Sequence, residues 1–582
     1  DKHIATSAQY RDSDLLEPQM GWWAPRMPSP QARGHFLDEM EYFACKNLGL
    51  DAAMSIQGVN VSHGPLPFHI EKQFTLLGWY EHLRLARYFD AQTVARVAVP
   101  GDEFRLRQNR DGAWQFTPVK LMPNRISALG NGSEKWTAQN AFAPQPLSAR
   151  IEALYAVAPY DSPKRKALID AADFPSFKTS TAAASIAFRL TEESADTKGD
   201  RRNLRLLAAN NGSTRTGAWA RATLELSAPY RNLGGTGAFG VWVKGDGSGA
   251  LLNLQVGTPR EFMHALSDHY VTLDFTGWRY VELLVRERDV ERMTDYVWPY
   301  GGAYDIYRNP LDMAHISQAT LYLNDLPIGR NVDVTLSPVM ALPTQSTALK
   351  NPALTVNGQT LALPFTLASG DFAELEPDGL CTHYNDRGEP LARVRCSTVV
   401  SPVPSSHTAG DTPVLRSGDN TLAFSCVPPS GVSARAEVTL SAFGAPFGTP
   451  NPSRAINWKH LEREYEMTRL FLASNDVNQA TWDVAVRPDA KAKLEIELCG
   501  AMTSPALTIS GHTLRFPVTL KDGQRLLCRD GRHWSVLDLH RATVAEGQLN
   551  EKVPTLVSGS NRVSFDCVHP DRAQVKLVKV YE

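Results

Sequence analysis

The second half of the chain contains an internal repeat. Residues 351–361 (NPALTVNGQTL) resemble residues 504–514 (SPALTISGHTL), and residues 418–426 (GDNTLAFSC) resemble residues 559–567 (GSNRVSFDC). Spacing and residue type agree over most of the two stretches, and turn residues separate short alternating runs of apolar and polar side chains. The repeat therefore predicts two copies of one β-sandwich, which we place at residues 344–450 and, together with a linker, at residues 451–582.

The seven cysteines include no CxxC pair, which argues against a metal cluster or thioredoxin-like chemistry. Two of them recur in the repeat: Cys381 falls near the position of Cys528, and Cys426 on that of Cys567. Two interpretations stand side by side. Each copy holds one disulfide bridge, or each copy buries two small side chains.

The first 98 residues have a different pattern, in which buried strands alternate with amphipathic helices. A short apolar run at 19–25 precedes helical periodicity that ends at Gly49. A second apolar run at 51–57 precedes a helical pattern at about 69–89. Strand–helix alternation indicates a parallel α/β fold, and a complete (β/α)₈ barrel takes about 250 residues. Because parallel strands need neighbours on both sides, we interpret residues 1–98 as the closing βα units of such a barrel rather than a small α/β unit.

The residues between these regions carry short strands broken by turns. We interpret 99–146 as a small β segment and linker, and 147–343 as a further β-sandwich. The predicted fold class is thus multidomain and mainly β, with an α/β remnant of a barrel followed by about three antiparallel, jelly-roll-like sandwiches.

The charge balance excludes some partners. The net charge is −2, from 60 basic and 62 acidic residues, so no basic surplus indicates nucleic acid or an anionic membrane. No apolar run reaches the roughly 18 residues of a membrane-spanning helix.

Five polar or aromatic residues lie at or just beyond the carboxyl ends of the two predicted parallel strands, where barrels have their active sites. They are Trp22, Trp23, Gln57, Asn60 and His63. The tryptophans offer a flat apolar face and an N–H group to a sugar ring, and the amides can bind hydroxyls. Burial in the core for the tryptophans, and an ordinary loop position for the others, are the competing interpretations.

Candidate carboxylates for glycoside hydrolysis are Asp12, Asp14, Glu17, Asp38 and Glu39. None stands clearly at the end of a strand, and acids at the start of a helix suit its dipole. We therefore expect the principal catalytic acids upstream of residue 1, or none. No cofactor is indicated, and no ligand set stands out for a structural calcium ion, which such a sandwich can hold.

The middle region is rich in aromatic side chains. Trp278, Trp298 and Tyr300 are the candidates there for binding a sugar by stacking, and packing at the end of the sandwich is the alternative.

The stretches GWW at 21–23 and DEMEYFACKNLGLD at 38–51 resemble the closing units of bacterial (β/α)-barrel glycoside hydrolases. The stretches TGWRYV at 276–281 and YLNDLP at 322–327 are similar to galactose-binding-like sandwiches of carbohydrate-binding modules. The resemblance implies export to the periplasm or the cell exterior, a polysaccharide or oligosaccharide partner, and an N-terminal chain or segment that completes the barrel. A glycoside hydrolase is the first functional hypothesis, with a non-catalytic carbohydrate-binding protein and a polysaccharide lyase as alternatives.

Overall fold

The computed structural model describes residues 19–58, 68–127, 129, 132–194, 202–259, 264–287, 309–399, 412–427, 432–451, 465–471, 479–538 and 542–581. Strands predominate over these residues and α-helices occur only near the N-terminus, so the predicted mainly β fold is confirmed. None of the helices described here is long and apolar enough to span a bilayer.

The N-terminal unit alternates strands and helices. Its elements are β1 (Gln19–Trp23), α1 (Leu37–Leu50), β2 (Ala53–Ile56), α2 (Phe68–Ala86) and α3 (Ala91–Val97). Strands β1 and β2 are parallel, with Trp22 opposite Ser55, and α1 packs against α2. Over the described residues these two strands form a sheet of their own, so the barrel itself stays a prediction.

Helix α1 ends later than the sequence predicts. The helix continues through Gly49 to Leu50, and Asp51 ends it in the left-handed conformation with φ 49°. Gly49 serves packing instead, because a Cβ there would lie 2.6 Å from the backbone nitrogen of Ala98, just beyond α3.

Strands build the rest of the described chain. Residues 103–157 contain β3 (Glu103–Gln108), β4 (Trp114–Ile126), β5 (Ser133–Asn140), β6 (Gln145–Pro146), β7 (Ala149–Ala153) and β8 (Ala156–Val157). Residues 166–345 contain β9 (Lys166–Ile169), a 3₁₀ helix (Ala171–Ser176), β10 (Lys178–Thr181), β11 (Ile186–Ser194), β12 (Arg202–Asn210), β13 (Trp219–Glu225), β14 (Ala238–Asp246), β15 (Leu251–Pro259), β16 (His264–Thr272), β17 (Thr276–Leu284), β18 (Gln318–Asn324), β19 (Asn331–Leu336), β20 (Val339–Leu342) and β21 (Thr344–Gln345). Residues 348–443 contain β22 (Ala348–Val356), β23 (Gln359–Ala362), β24 (Thr366–Ala368), β25 (Phe372–Leu375), β26 (Leu380–Tyr384), β27 (Pro390–Arg395), β28 (Ser397–Val399), β29 (Val414–Leu415), β30 (Gly418–Val427) and β31 (Ala436–Phe443). Residues 465–581 contain β32 (Tyr465–Phe471), β33 (Gln479–Ile509), β34 (His512–Arg515), β35 (Thr519–Leu520), β36 (Arg525–Cys528), β37 (His533–Leu537), β38 (Thr543–Gln548) and β39 (Leu556–Tyr581).

The first sandwich, which we call the host sandwich, combines strands from 103–153 with strands from 348–443. One sheet has the order β27-β26-β25-β7-β31-β4-β3, and the other has the order β28-β23-β22-β30-β5, with β24 also paired to β22. Buried side chains such as Ile151, Leu354, Phe424 and Val438 fill one core between the sheets. The strands of the predicted segment 99–146 thus pair with strands of the predicted domain 344–450.

The inserted sandwich (166–342) lies between the two parts of the host sandwich in the chain. Its sheets have the orders β10-β13-β18-β15-β16 and β11-β12-β19-β14-β20-β9, with β17 paired to β14. Side chains such as Leu206, Phe239, Leu254 and Leu321 form its core. Its strands fall within the predicted sandwich 147–343, whereas β7, from the same predicted range, belongs to the host sandwich.

The C-terminal sandwich (465–581) has the strand order β32-β39-β33-β36-β37-β38, with β34 and β35 paired to β33. It repeats the host sandwich in register as well as in sequence. Lys350 lies opposite Val427 in the host, as Thr503 lies opposite Val568 here. A hydroxyl pair also recurs, at 2.8 Å between Thr355 and Thr360 Oγ1 and at 2.9 Å in the C-terminal copy.

The repeat locates the insertion within the host. Leu375 lies opposite Ala149 as its equivalent Cys528 lies opposite Ile496, so counting four residues along each strand makes Ala153 the equivalent of Gly500. Lys350 is the equivalent of Thr503, so Ala348 is the equivalent of Ala501. Gly500 and Ala501 are neighbours in the chain. The inserted sandwich and its connections therefore stand at the point in the host sandwich that corresponds to the peptide bond between Gly500 and Ala501 in the C-terminal copy.

The register also corrects the equivalence of two cysteines. Cys426 and Cys567 do occupy equivalent positions. Each directly precedes the valine that lies opposite Lys350 in the host sandwich or opposite Thr503 in the C-terminal sandwich. Cys381, however, lies opposite Leu375 in the pair of β25 and β26. The register of the equivalent pair, β36 and β37, puts Trp534 opposite Cys528. Because Leu375 is the equivalent of Cys528, Cys381 corresponds to Trp534 and not to Cys528. The sequence gives the same equivalence, because Asn351 and Ser504, like Cys381 and Trp534, are 153 residues apart.

Candidate functional site

Several candidate residues lie outside the described residues. They are Asp12, Asp14, Glu17, Asn60, His63, Trp298 and Tyr300. Trp22 is described as part of β1, opposite Ser55, and Gln57 is exposed just after β2, where its N–H donates to the carbonyl of Trp23 at 2.9 Å.

Trp23 packs within the N-terminal unit. Its ring lies 4.7 Å from the His35 ring and 5.3 Å from the Phe43 ring, between centroids. Its Nε1 donates to Oε1 of Gln73 at 3.4 Å, and the Gln73 amide donates in turn to the carbonyl of His35. Trp23 therefore positions the loop that contains His35.

Asp38 and Glu39 hold the start of helix α1. Asp38 pairs with Arg150 of β7 at 2.9 Å, and although burial opposes ionisation, Arg150 lowers the pKa of Asp38 to about 2. Glu39 accepts the N–H of Phe36 at 2.6 Å and pairs with Arg33 at 3.4 Å. Both carboxylates thus hold the start of the helix, and Arg150 keeps Asp38 ionised.

Trp278 lies on β17, opposite Lys244 of β14 and half-buried. Its indole Nε1 is buried with no hydrogen-bond partner among the described residues. The structure places it on the inserted sandwich, apart from the other described candidates.

A cleft of about 120 Å³, which we call the junction cleft, lies where the N-terminal unit, the host sandwich and the inserted sandwich meet. The N-terminal unit contributes Arg33, His35, Phe36 and Lys72; the host contributes Glu152, Phe372, Glu374 and Tyr384; the inserted sandwich contributes Leu284, Arg286 and Glu287. A cavity of about 150 Å³ accommodates benzene in an engineered protein, so the cleft has the size of a single-ring ligand.

The position of the cleft follows from the parallel strands. The segment from residue 24 to 36 leaves the carboxyl end of β1 and leads into α1, and it carries Arg33, His35 and Phe36 to the cleft. In parallel α/β folds this is the side on which ligands bind.

Aromatic rings form one wall. The Phe36 ring meets Phe372 edge-on at 5.1 Å, and Phe372 stacks on Tyr384 at 4.8 Å with 15° between the planes. Arg150 lies over the Phe36 ring at 3.7 Å and the Lys72 ammonium lies 5.1 Å from the Tyr384 ring centre. These cation–π contacts fix the rings in orientation.

Charged groups border the rings. Glu374 lies opposite Arg150 on the neighbouring strand, and burial raises the pKa of Glu374 while Arg150 and Lys72 counteract that rise. Glu152 accepts from Nε of Arg150 at 3.3 Å. The cleft thus combines a carboxyl group that holds its proton more readily than an exposed glutamate with a guanidinium beside it.

Ion pairs attach the inserted sandwich beside the cleft. Glu287 pairs with Arg125 at 3.2 Å and with Arg435 at 3.1 Å, both from the host sandwich. Arg286 pairs with Asp386 at 3.4 Å. Because Glu287 and Arg435 are both buried, removing one partner would leave an unpaired buried charge.

Sequence reasoning missed Phe372, Glu374 and Tyr384. They alternate along β25 and β26, which predicts strands with one outward face, but nothing local shows that the N-terminal unit covers that face. Over the described residues, no group of three or more His, Cys, Asp or Glu side chains is arranged to hold a metal ion. A structural calcium ion stays a prediction.

No protein-family model matches the chain, and no curated protein matches its sequence. Among solved structures it is similar to the family 11 carbohydrate-binding module of a cellulosomal cellulase of Clostridium thermocellum, with 11% identity, a TM-score of 0.23, and coverage of 31% of this chain and 94% of that one. It is also similar to an exo-β-agarase (13%, TM-score 0.21, 31% and 26% covered) and to a β-1,2-glucanase from Parabacteroides distasonis (9%, 0.21, 41% and 38%).

Proposed function

We propose that this chain is the C-terminal part of a secreted polysaccharide-degrading glycoside hydrolase, and that the junction cleft holds one sugar ring of its substrate. The observation that supports this most is the cleft itself. The cleft lies on the side of the carboxyl end of β1. It combines the stacked rings of Phe372 and Tyr384 with the charged side chains of Glu374, Arg33 and Lys72.

This combination suits a pyranose. A sugar ring has an apolar face of C–H groups that packs on an aromatic ring, while its hydroxyls at the rim accept and donate hydrogen bonds. Charged donors and acceptors make the stronger of such bonds, and carboxylates and guanidinium groups of opposite sign can bind adjacent hydroxyls.

The proposal assigns the cleft to substrate holding and not to bond cleavage. Glycoside hydrolysis needs one carboxyl group that keeps its proton and a second that is ionised and placed across the sugar from it. Asp38 and Glu39 are held in ion pairs and in the cap of α1, so the proposal does not assign the cleavage to them.

A variant of Tyr384 tests the cleft. In the C-terminal sandwich the equivalent strand position holds Leu537, so Tyr384→Leu retains a side chain that this strand already accommodates. Loss of the stacked ring is expected to weaken oligosaccharide binding about 5-fold or more, since aromatic contacts of this kind contribute about 1 kcal/mol beyond the area they bury. Titration calorimetry against a panel of neutral and acidic oligosaccharides measures this.

Leu537→Ala is the matched control and should leave affinity unchanged. Equal affinity of the wild type and Tyr384→Leu for every bound sugar would contradict the proposal.

A non-catalytic carbohydrate-binding protein is the second candidate, favoured by the ion pairing that ties up Asp38 and Glu39. Binding without any release of reducing ends, by the whole protein, would select it. Release of products with a near-ultraviolet absorbing double bond would instead select a polysaccharide lyase.

A further inference from the structure

Two cysteines of the host sandwich replace an apolar pair of the C-terminal sandwich. Cys381 corresponds to Trp534, and Cys396 corresponds to Leu549. The backbone shows the second equivalence, because the N–H of Cys396 donates to Gly379 at 2.9 Å, as that of Leu549 donates to Arg532 at 2.8 Å. Both members of the pair therefore differ together between the two copies.

The two thiols lie close to each other on adjacent strands. Leu380 lies opposite Arg395 in the antiparallel pair of β26 and β27, so Cys396 follows opposite Gly379 and faces the same side as Cys381. Both side chains are buried, at 0% and 3% exposure, in the same core. The two thiols interact, and each shifts the pKa of the other.

We propose that Cys381 and Cys396 form a disulfide under oxidising conditions, which fastens the edge of the host sandwich beside the cleft. Strand β27 is the last strand of its sheet and is exposed from Leu391 to Arg395, so its local opening admits a small oxidant to the thiols. The remaining five cysteines carry free thiols in the structure, as this pair does.

The exchange is balanced with a disulfide such as oxidised glutathione as oxidant. The Cys396 thiolate attacks one glutathione sulfur, forming a mixed disulfide and releasing the other glutathione as a thiolate that takes up a proton. The Cys381 sulfur, losing its proton, then attacks the Cys396 sulfur and displaces the second glutathione. Two protein thiols are oxidised to one disulfide, and one glutathione disulfide is reduced to two thiols.

The interaction between the two thiols fits these roles. It lowers the pKa of Cys396 and raises the pKa of Cys381, where burial adds to the rise. Burial raises the pKa of Cys426, Cys528 and Cys567 to about 11 each, so those thiols stay protonated and react slowly.

Thiol counting on the whole chain tests the proposal without any sugar, so its outcome is independent of the proposed function. The native protein is incubated with oxidised glutathione, unfolded, and titrated for free thiols. Five of the seven thiols are expected to remain, and peptide mapping without reductant should join the peptide of Cys381 to that of Cys396. Seven remaining thiols, or a bridge between other cysteines, would overturn it.

Two variants sharpen the result. Cys396→Ser should form no intramolecular bridge, whereas Cys426→Ser should form it as the wild type does. The bridge closes a loop of about 15 residues, so oxidation is expected to raise the melting temperature of the wild type by roughly 5 °C and to leave Cys396→Ser unchanged. Since mapping uses the wild type, a variant that fails to fold does not affect that arm.

Discussion

Arg150 organises the charged residues around the cleft. It pairs with Asp38 from the N-terminal unit and with Glu152 on its own strand, and its guanidinium covers the Phe36 ring. One side chain of the host sandwich therefore fixes the start of α1, one carboxylate and one aromatic wall. Sequence reasoning placed Asp38 correctly at a helix start, but the arginine that accounts for its ionised state comes from a strand more than 100 residues away.

Asp38 gives a testable dependence on pH. Its folded pKa of about 2 lies below the 3.8 of an ordinary aspartate, so its stabilising effect is present above about pH 4 and is lost as pH falls towards 2. The shift corresponds to about 2 kcal/mol. Asp38→Asn should lower the free energy of unfolding by at least about 2 kcal/mol at pH 7 and flatten its decline between pH 4 and pH 2.

Urea denaturation across that pH range measures both effects. Asp111→Asn, in the exposed turn between β3 and β4, is the control and should behave as the wild type. An Asp38→Asn chain as stable as the wild type at pH 7 would show that the ion pair contributes nothing.

At the scale of elements, local pattern predicted what local physics determines. The apolar spacing of Met40, Ala44 and Leu48 predicted α1, and the alternating runs predicted strands. The two copies of the repeat carry the same buried turn, in which the side chains of Asn420 and Asn561 each accept the N–H and donate to the carbonyl of the residue four positions earlier, Arg416 and Val557. The repeat was visible in sequence because these turns need the same residue types.

Strand partners could not be predicted in the same way. β7 and β25 are neighbours in one sheet although the inserted sandwich separates them in the chain. A five-residue strand contains no information about which of many similar strands it will pair with, so the sequence assigned β7 to the sandwich that follows it. The cleft was missed for the same reason, because each of its walls comes from a different part of the chain.

The whole chain is organised as a repeated sandwich with another sandwich inserted into its first copy. Ala153 and Ala348 correspond to the adjacent residues Gly500 and Ala501, so the C-terminal copy shows how the host closes without an insertion. The insertion adds Leu284, Arg286 and Glu287 to the cleft, which indicates that it completes the site rather than folding beside it.

Deleting residues 154–347 and joining Ala153 to Ala348 tests this organisation. The shortened chain is expected to fold with a cooperative unfolding transition, because its host sandwich keeps all the strands that the C-terminal sandwich has. It should also lose oligosaccharide affinity, since one wall of the cleft is removed. Circular dichroism and thermal denaturation measure the fold, and an aggregated or unfolded product would contradict the insertion.

Hydrogen–deuterium exchange with and without oligosaccharide tests the central claim most directly, because it locates the sugar on the intact chain. Slower exchange is predicted in peptides covering 33–37, 370–375 and 380–384, with no change in the equivalent strands at 525–537 of the C-terminal sandwich. Protection confined to the inserted sandwich, or equal protection of the two copies, would contradict the assignment of the sugar to the junction cleft.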